Sequence, residues 1–344
     1  MSELVIIASD LYFSAAAVRS VMLTPQLPGL ERLARLATRR ELPSDWRAWL
    51  AASLPRPSLA QIGPATVAAS SELALESRPA SSVWLAEPLH LAASLRSVHL
   101  SHQGRLDLDR DAQERLSAGF ASAFAASGCE LAALRAGRFA LLSPQPGHEV
   151  TTTDPARLLG TSIEDALPRG AQARAVRSLG SEIEMWLHEH PLNIERSRAG
   201  KPTVSALWLW GGGPAPCTLG SSEAFAAEIR PAPTVLIGDD PYVAGLSKLN
   251  GVRWQPLPPA FPQLSAARTV IIAEVFARAG ASRGTPLDAL EAFDRQWVTP
   301  GLAAVARGQL AKLTLIANDR SLSFEPRHRL RFWRAPRPAL EALT

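Results

Sequence analysis

The chain has 344 residues, of which 47% are hydrophobic and 20% charged, so its composition excludes a disordered protein and its length favours two domains. The formal net charge is +4, and lysine occurs only at positions 201, 248 and 312, which leaves 33 arginines among the 36 basic residues. These arginines are scattered among acids rather than run together, which argues against a nucleic-acid-binding stripe.

The first part of the chain predicts one strand and one helix ahead of a loop. Residues 3–10, ELVIIASD, predict a buried first strand that ends in an acid. Residues 27–37 carry leucines at positions 30, 33 and 36, and this spacing predicts an amphipathic helix. Residues 55–71 are rich in proline, glycine and serine, which favours a loop.

The middle of the chain alternates between strand and helix patterns. Residues 83–101 are strand-like. Residues 109–128 predict a helix, with acids in its first turn and glycine at its end. Residues 137–153 predict the two strands of a hairpin, and residues 171–189 predict another helix.

The last third of the chain predicts an α/β sheet. Short apolar runs followed by turn residues are typical of buried parallel strands. They alternate here with helical patterns, which favours helices on the faces of one sheet. The predicted strands are 205–213, 233–240, 267–277 and 310–319, and the predicted helices are 240–251 and 286–308.

Targeting and membrane signals are not evident in the sequence. Asp10 interrupts the first apolar run too early for a signal core or a membrane span, and no run of about 18 apolar residues follows. Cys129 and Cys217 fit no metal-binding or disulfide spacing. A reducing cytoplasm is therefore the expected location, with no membrane partner.

Several segments resemble the archaeal-type, cofactor-independent phosphoglycerate mutases of the alkaline-phosphatase superfamily. Residues 151–170 are similar to the family's Thr-Thr-x-Pro-x-x-x-x-Gly-x-x-Ile segment, and residues 190–202 to its His-Pro-Val-Asn-x-x-Arg-x-x-x-Gly segment. Residues 207–213, LWLWGGG, resemble the strand and glycine turn that follow, and 236–252 and 288–302 resemble later elements of the core. Among proteins with this pattern, the chain most resembles a bacterial subgroup whose members are described as regulatory proteins of a pathogenicity-factor cluster.

This resemblance implies an α/β fold with an alkaline-phosphatase-like core sheet, helices on both faces and an inserted smaller α+β domain. The core is expected from residues 1–85 plus 203–344, so that both ends of the chain meet in one sheet. The inserted domain is expected from residues 86–202.

The resemblance also implies metal chemistry, which this sequence does not retain. Such enzymes use two divalent metals, bound by Asp and His at strand ends, and a serine nucleophile. Ala277 and Ala281 stand where an Asp and a His are expected, and alanine cannot bind a metal. Asp319-Arg320 stands where Asp-His is expected, and an arginine repels a cation. No metal and no cofactor is therefore expected.

An alternative is an active enzyme with a rebuilt manganese or zinc site. Asp10 fits the aspartate after the first strand, although Leu11 replaces the usual glycine. Ser70 or Ser71 is the best candidate nucleophile, without a supporting motif. The candidates for a residual site are Asp10, Asp239, Asp240, Asp319 and His328.

The most specific block of the resemblance carries a candidate ligand site. His190, Asn193 and Arg196 are three residues apart, so on one helical turn they face the same way. The resemblance implies contact with a phosphate or carboxylate there. The simpler interpretation is that Asn193 caps a helix end and Arg196 is a solvated charge.

For other motifs the structural interpretation is favoured. Asp239-Asp240 at a strand end can act in acid–base or metal chemistry, but one of them more simply caps the helix that begins at Pro241. The three glycines at 211–213 are more simply a turn than a phosphate cradle, and Trp208 and Trp210 face one side for packing. Asp319 and Arg320 predict a local ion pair or loop contacts. The basic stretch 327–340 is more simply a solvated strand and tail than a site for RNA or an acidic partner.

The sequence thus predicts a catalytically degenerate phosphoglycerate-mutase-like protein that is regulatory or binds a phosphorylated metabolite. The alternatives are an active metal-dependent mutase or phosphatase with the rebuilt site, and a basic-tailed interaction protein without a small ligand. The expected partners are a phosphorylated small acid or a protein.

Overall fold

The structure is a computed structural model that describes residues 2–13, 26–78, 80–94, 97–147, 149–215, 234–276, 285–331, 333–335 and 338–343. Its strands are β1 (Glu3–Ala8), β2 (Thr38–Glu41), β3 (Ser82–Ala93), β4 (Val98–Arg105), β5 (Glu130–Ala133), β6 (Phe139–Ser143), β7 (Thr161–Ser162), β8 (Ala206–Pro214), β9 (Thr234–Ile237), β10 (Arg253–Gln255), β11 (Arg268–Ala273), β12 (Lys312–Ala317) and β13 (Arg320–Phe324).

The helices of the described residues are α1 (Pro28–Leu36), α2 (Trp46–Ala52), α3 (Pro64–Ala69), α4 (Arg110–Ala123), α5 (Ala173–Glu189), α6 (Pro191–Arg198), α7 (Pro241–Asn250), α8 (Pro286–Phe293), α9 (Thr299–Ala306) and α10 (Ala339–Ala342). A π-helical turn at Asp294–Val298 joins α8 to α9. None of these helices is long and apolar enough to span a bilayer.

A seven-stranded core sheet is built by the two ends of the described chain. Its strand order is β10-β9-β11-β1-β12-β13-β2. The first five strands are parallel, and β13 is antiparallel to both of its neighbours, β12 and β2. Parallel strands are buried on both faces and therefore read as continuous apolar runs, as β1 does with Leu4 to Ile7. The predicted α/β class with helices on both faces of a core sheet is confirmed.

A second sheet has the order β5-β6-β3-β4-β7, with β8 paired to β3. The prediction that residues 205–213 form a parallel core strand is wrong, because β8 runs antiparallel to β3, with Ala86 opposite Leu209. An apolar run buried on both faces carries no mark of its direction, which is why the sequence did not distinguish the two sheets. The predicted domain boundaries at residues 85 and 203 remain a prediction.

Two further predictions of local structure differ from the fold. Residues 55–71 are not only loop, because they contain the buried helix α3. Residues 137–153 do not form a hairpin by themselves. Among the described residues of this range, β6 is the one strand, and it pairs with β5 and β3. Pro144 and Pro146 follow β6 and lack the N–H that a continuing strand needs.

Apolar side chains fill three layers around the two sheets. One cluster lies between the sheets, with α2, α3 and α7, and includes Trp208 and Trp210, as their alternation predicts. A second cluster covers the outer face of the core sheet under α1, α8 and α9. A third covers the outer face of the second sheet under α4 and α5. The middle layer therefore holds the two sheets together.

Close approaches in the middle layer and on the outer face of the second sheet require glycine. A Cβ on Gly245 of α7 would overlap the carbonyl oxygen of Val67 in α3. A Cβ on Gly212 would overlap the indole of Trp84. The three glycines at 211–213 therefore lie within β8 for packing, and their prediction as a turn after the strand is wrong.

Gly245→Ala should destabilise the protein by about 2 kcal/mol or more, because α3 and α7 must separate to admit the methyl group. The matched control is Gly180→Ala in α5, where a Cβ meets no atom within 4 Å. It should stabilise the protein by about 0.5–1 kcal/mol, since alanine is the better helix former. Urea unfolding of both variants measures the difference, and equal effects would contradict the close packing.

Candidate functional site

The parallel strands of the core sheet present acids at one edge. The strands β1, β9, β11 and β12 are parallel, so their carboxyl ends lie on the same side, where sites gather in α/β proteins. Each of the four strands is followed within three residues by a carboxylate. These acids are Asp10, Asp240, Glu274 and Asp319.

Arginines from outside the core sheet meet these acids. One belongs to α2, one ends β4, one directly precedes β6 and one lies in the helical turn before β7. They are Arg47, Arg105, Arg138 and Arg157. Three of them come from the second sheet and its loops, so the site forms where the two sheets meet.

Glu274 is shared by two guanidinium groups. Arg105 Nη2 donates to Glu274 Oε1 at 2.6 Å, and Arg138 Nη2 donates to the same oxygen at 2.5 Å. Arg105 also donates from Nε to Glu87 at 2.8 Å and from Nη1 to Asp10 at 3.4 Å. Both arginine side chains are 5% exposed or less. Charge-assisted hydrogen bonds of this kind are the strong ones in a buried site.

Asp240 is the second shared acid. Its Oδ2 lies 3.1 Å from Arg138 Nη1 and 3.4 Å from Arg47 Nη2. Arg47 Nη1 also donates to Asp154 at 2.5 Å. The charges thus alternate without a gap along a series that we term the ion-pair chain. It consists of Asp154, Arg47, Asp240, Arg138, Glu274, Arg105 and Asp10.

Asp240 also caps α7, since its Oδ1 accepts the N–H of Tyr242 at 2.8 Å. The predicted cap ahead of Pro241 is therefore confirmed. The capping fixes the carboxylate at the N-terminus of a helix, where the helix dipole favours a negative charge. One carboxylate is consequently used for both the helix and the ion-pair chain.

Arg47 is enclosed by aromatic rings. Its guanidinium carbon lies 4.3 Å from the ring centre of Trp46, 4.7 Å from that of Trp210 and 5.9 Å from that of Tyr242. Burial alone would lower the pKa of Arg47, but the negative charges of Asp154 and Asp240 outweigh it and raise that pKa. Arg47 therefore stays charged inside the protein, held by cation–π contacts and carboxylates.

Asp319 pairs with Arg157 and not with its neighbour Arg320. The two Arg157 nitrogens donate to both oxygens of Asp319 at 2.7 and 2.8 Å. Arg320 instead approaches Glu41 on β2 at 3.4 Å. Of the two predicted alternatives, the Asp319–Arg320 ion pair does not form, whereas Asp319 does make loop contacts at the β12–β13 turn, where its φ is 56°.

Asp10 is fully buried at the end of the ion-pair chain. Its oxygens accept the backbone N–H groups of Val275 at 2.6 Å and Phe276 at 3.1 Å. Burial raises the pKa of Asp10 to about 7, although the Arg105 charge opposes the rise. Glu274 adds to the rise by like-charge repulsion. The side chain therefore exchanges a proton near neutral pH.

The carboxylates of this edge do not fit a pair of divalent metals. Both oxygens of Asp10, Asp240 and Asp319 already accept N–H groups, and a guanidinium lies within 3.4 Å of each carboxylate. A cation placed there would be repelled by those guanidinium groups. Among the described residues, no group of three or more His, Cys, Asp or Glu side chains is arranged to hold a metal ion.

His328 lies away from the ion-pair chain. Its Nδ1 accepts the backbone N–H of Glu325 at 3.3 Å, and its ring packs against Phe324 with 6.1 Å between ring centres. It is buried there in the helical turn that follows β13. The structure thus does not bring His328 to the acids with which the rebuilt metal site groups it.

The candidate nucleophiles make only local hydrogen bonds. The Ser70 hydroxyl donates to the Val67 carbonyl, and the Ser71 hydroxyl donates to the Ala68 carbonyl, both at 2.7 Å. Both residues follow α3 and satisfy carbonyl groups of its last turn. Among the described residues, neither hydroxyl donates a hydrogen bond to a basic side chain.

His190 and Asn193 organise the backbone around α6. His190 Nδ1 accepts the N–H of Leu192 and so caps the helix. The Asn193 amide donates to the carbonyls of Leu187 and Val204 and accepts the Val204 N–H at 2.7 Å. Asn193 therefore links the segment just before β8 to the end of α5. The sequence suggests only a helix cap at this position.

Arg196, the third candidate of that group, donates from Nε to the Pro202 carbonyl at 2.8 Å. His190 is the N-cap of α6 and Asn193 and Arg196 lie within that helix, so the three residues extend over more than one turn, and each side chain binds the protein's own backbone. Their role in ligand binding remains a prediction.

A cavity of about 450 Å³ opens beside the ion-pair chain. Its wall carries four acids but only two arginines, together with one indole. These side chains are Asp107, Asp239, Asp240, Glu274, Arg135, Arg138 and Trp254. An acidic wall of this kind suits a cationic group better than a phosphate.

Sequence reasoning missed all four arginines of this site, together with Glu87 and Asp154. One signal was present: Glu87 interrupts an apolar strand, VWLAEPLHL, and is 1% exposed. A buried charge requires a partner, so Glu87 predicts a buried cation nearby. The predicted positions Ala277, Ala281 and Cys217 lie outside the described residues.

Comparison with known proteins finds partial similarity to one enzyme family. Over 69 residues the chain is 37% identical to the 2,3-bisphosphoglycerate-independent phosphoglycerate mutase of Methanothrix thermoacetophila, which covers 20% of this chain and 18% of that protein. It is 34% identical over 70 residues to that of Methanosarcina mazei, with the same coverage. The chain thus matches about a fifth of the length of these relatives. No protein-family model matches it.

Two solved structures align over most of the chain at low similarity. A cofactor-independent phosphoglycerate mutase from Thermoplasma acidophilum is 16% identical, with a TM-score of 0.40 and coverage of 94% of this chain and 90% of that one. The PH0037 protein from Pyrococcus horikoshii is 12% identical, with a TM-score of 0.47 and coverage of 94% and 87%. The sequence matches support a relationship of part of this chain to those mutases.

Arg105→Met should destabilise the protein by about 3–5 kcal/mol, because three acids lose the charge that they share inside the protein. The matched control is Arg110→Met, which breaks an exposed pair with Glu114. It should change the unfolding free energy by less than about 0.5 kcal/mol. Chemical denaturation measures both, and similar small losses would contradict a buried ion-pair chain.

Asp10→Asn removes the carboxyl that titrates near neutral pH. Since burial raises the folded pKa from 3.8 to about 7, the folded state holds a proton in this range that the unfolded state has released. The unfolding free energy of the parent protein, relative to the variant, should therefore fall with rising pH by up to about 1.4 kcal/mol per pH unit and level off above pH 7. Urea titrations from pH 4.5 to 8.5 measure it; a constant difference would show an ordinary carboxylate.

Proposed function

We propose that this chain is a catalytically inactive phosphoglycerate-mutase-like protein that acts by binding, as a regulatory protein. The observation that carries the proposal is the ion-pair chain at the carboxyl edge of the core sheet. The carboxylates that follow the parallel strands there form ion pairs with guanidinium groups. The partial sequence similarity to the mutases supports the choice of family.

A guanidinium group can replace a divalent cation in charge but not in chemistry. It neutralises neighbouring carboxylates and fixes their geometry. It has no open coordination position, so it cannot bind a water or a serine hydroxyl and lower its pKa, as a catalytic metal does. Arg105 and Arg138 therefore preserve the architecture of this edge while removing the means of phosphoryl transfer.

The serines after α3 support the same proposal. A nucleophilic serine needs a base within hydrogen-bond reach. Ser70 and Ser71 instead donate to carbonyl groups of their own helix. The rebuilt metal site of the alternative hypothesis also requires His328, which packs against Phe324.

An assay for mutase and phosphatase activity tests the proposal. Purified protein is incubated with 3-phosphoglycerate and with p-nitrophenyl phosphate, in the presence of Mn²⁺ or Zn²⁺, and calorimetry measures the binding of each metal. We expect no turnover and no metal affinity in the micromolar range, because Arg105 and Arg138 hold the carboxylates.

A working enzyme with a rebuilt site gives the opposite result. Turnover that depends on the added metal and disappears in Asp10→Ala would overturn the proposal. Asp111→Ala serves as the control, because Asp111 lies on the exposed surface of α4 and its side chain is 82% exposed. Activity that survives in both variants would point to a contaminating enzyme.

A further inference from the structure

The strand predicted in the C-terminal segment is wrong, because Pro326–Leu330 forms a helical turn, whereas Arg327, Arg329 and Arg334 are exposed to solvent as predicted. Arg331 Nη1 donates to the Leu36 carbonyl at 2.9 Å, and Arg334 Nη1 donates to the Ala37 carbonyl at 3.1 Å. In return, Arg35 Nε donates to the Arg334 carbonyl at 2.8 Å. The segment therefore docks on the end of α1, where the last carbonyls of a helix attract positive charge.

This docking creates a cavity of about 420 Å³ between α1, β2, β13 and the C-terminal segment. Its wall includes Arg35, Arg39 and Arg334, from three separate elements of the chain. No acidic side chain lines it among the described residues. Thr38 and small apolar side chains complete the wall. We term this site the arginine cavity.

The arginine cavity is lined by parts of two segments in which positively charged residues are concentrated. Residues 31–41 and 325–341 together contain nine arginines and four glutamates, a formal charge of +5, whereas the whole chain carries +4. Two of those glutamates are already paired: Glu325 with Arg327 at 2.7 Å and Glu41 with Arg320 at 3.4 Å. The value of +5 already subtracts all four glutamates, so an excess of positive charge remains in these two segments.

Arg334 of the cavity wall, together with Arg331 and Arg40 outside it, differs from the arginines of the ion-pair chain. Arg40, Arg331 and Arg334 form no ion pair with a carboxylate within the described part of the chain. Burial, followed by the charges of Arg334 and Arg327, lowers the pKa of Arg331. Hydrogen bonds to backbone carbonyls thus hold positively charged side chains close together, and a bound anion would reduce the repulsion between them.

We propose that the arginine cavity binds a compact phosphorylated small molecule. Guanidinium groups present several N–H donors in one plane and match the oxygens of a phosphoryl group. The volume of the cavity is within the range of small-ligand sites. Because its arginines converge from three elements, the cavity suits a compact anion better than an extended nucleic-acid strand. An active enzyme could carry this site equally well, so the inference does not depend on the proposed function.

Binding of pyrophosphate to the full chain tests the site. Calorimetry should detect binding to the parent protein, and the double variant Arg39→Gln/Arg334→Gln should bind at least about tenfold more weakly, because two charged donors are lost. The matched control, Arg110→Gln/Arg198→Gln, removes two exposed arginines elsewhere and should leave the affinity unchanged. Thermal unfolding without ligand verifies that each variant is folded.

Two further probes separate the sources of the phosphate group. A 20-nucleotide single-stranded RNA and vesicles containing phosphatidylserine are offered to the same variants, with pyrophosphate as competitor. Weak binding of either, displaced by pyrophosphate, is consistent with the compact site. Failure of pyrophosphate to bind the parent protein, equal binding by both double variants, or tight RNA or vesicle binding that pyrophosphate does not displace would overturn the proposal.

Discussion

The oxygen of Glu274 that accepts hydrogen bonds from both Arg105 and Arg138 is the contact at which the charges of the two sheets meet. Glu274 follows a strand of the core sheet, whereas the two arginines belong to strands of the second sheet or to their ends. Taking these charges out of water costs several kcal/mol per ion unless geometry and hydrogen bonds compensate. In the observed arrangement of the two sheets, each of these carboxylates has a guanidinium partner.

Around that contact, the interior combines an apolar layer with buried charges. The apolar layer between the sheets supplies the bulk of the stabilisation, because burial is roughly proportional to area. The ion-pair chain instead fixes how the acids and arginines are oriented to one another, because guanidinium hydrogen bonds require a defined geometry. Aromatic rings around Arg47 tie the two contributions together, because Trp210 belongs to the apolar layer and also faces the guanidinium.

The sequence was sufficient for elements defined by local pattern. Strands β1, β9, β11 and β12 are continuous apolar runs, and Asp240 before a proline is a local capping signal. The sequence was insufficient where the structure depends on contacts between residues that are far apart along the chain. The partners of Arg105 lie 18, 95 and 169 residues away, and no local pattern encodes such pairings. The direction of β8 was hidden for the same reason, since its partner β3 is chosen by the assembled layer and not by its own residues.

Strand β2 has a consequence for contacts between molecules. It is the last strand of the core sheet, with the sequence TRRE, and Arg39 and Arg40 are exposed. An edge strand offers unpaired backbone groups to any other strand. Two adjacent arginines place like charges where the same edge of another copy would have to lie. Joining sheets edge to edge would bring four such charges together, so the protein resists aggregation by strand addition on this side.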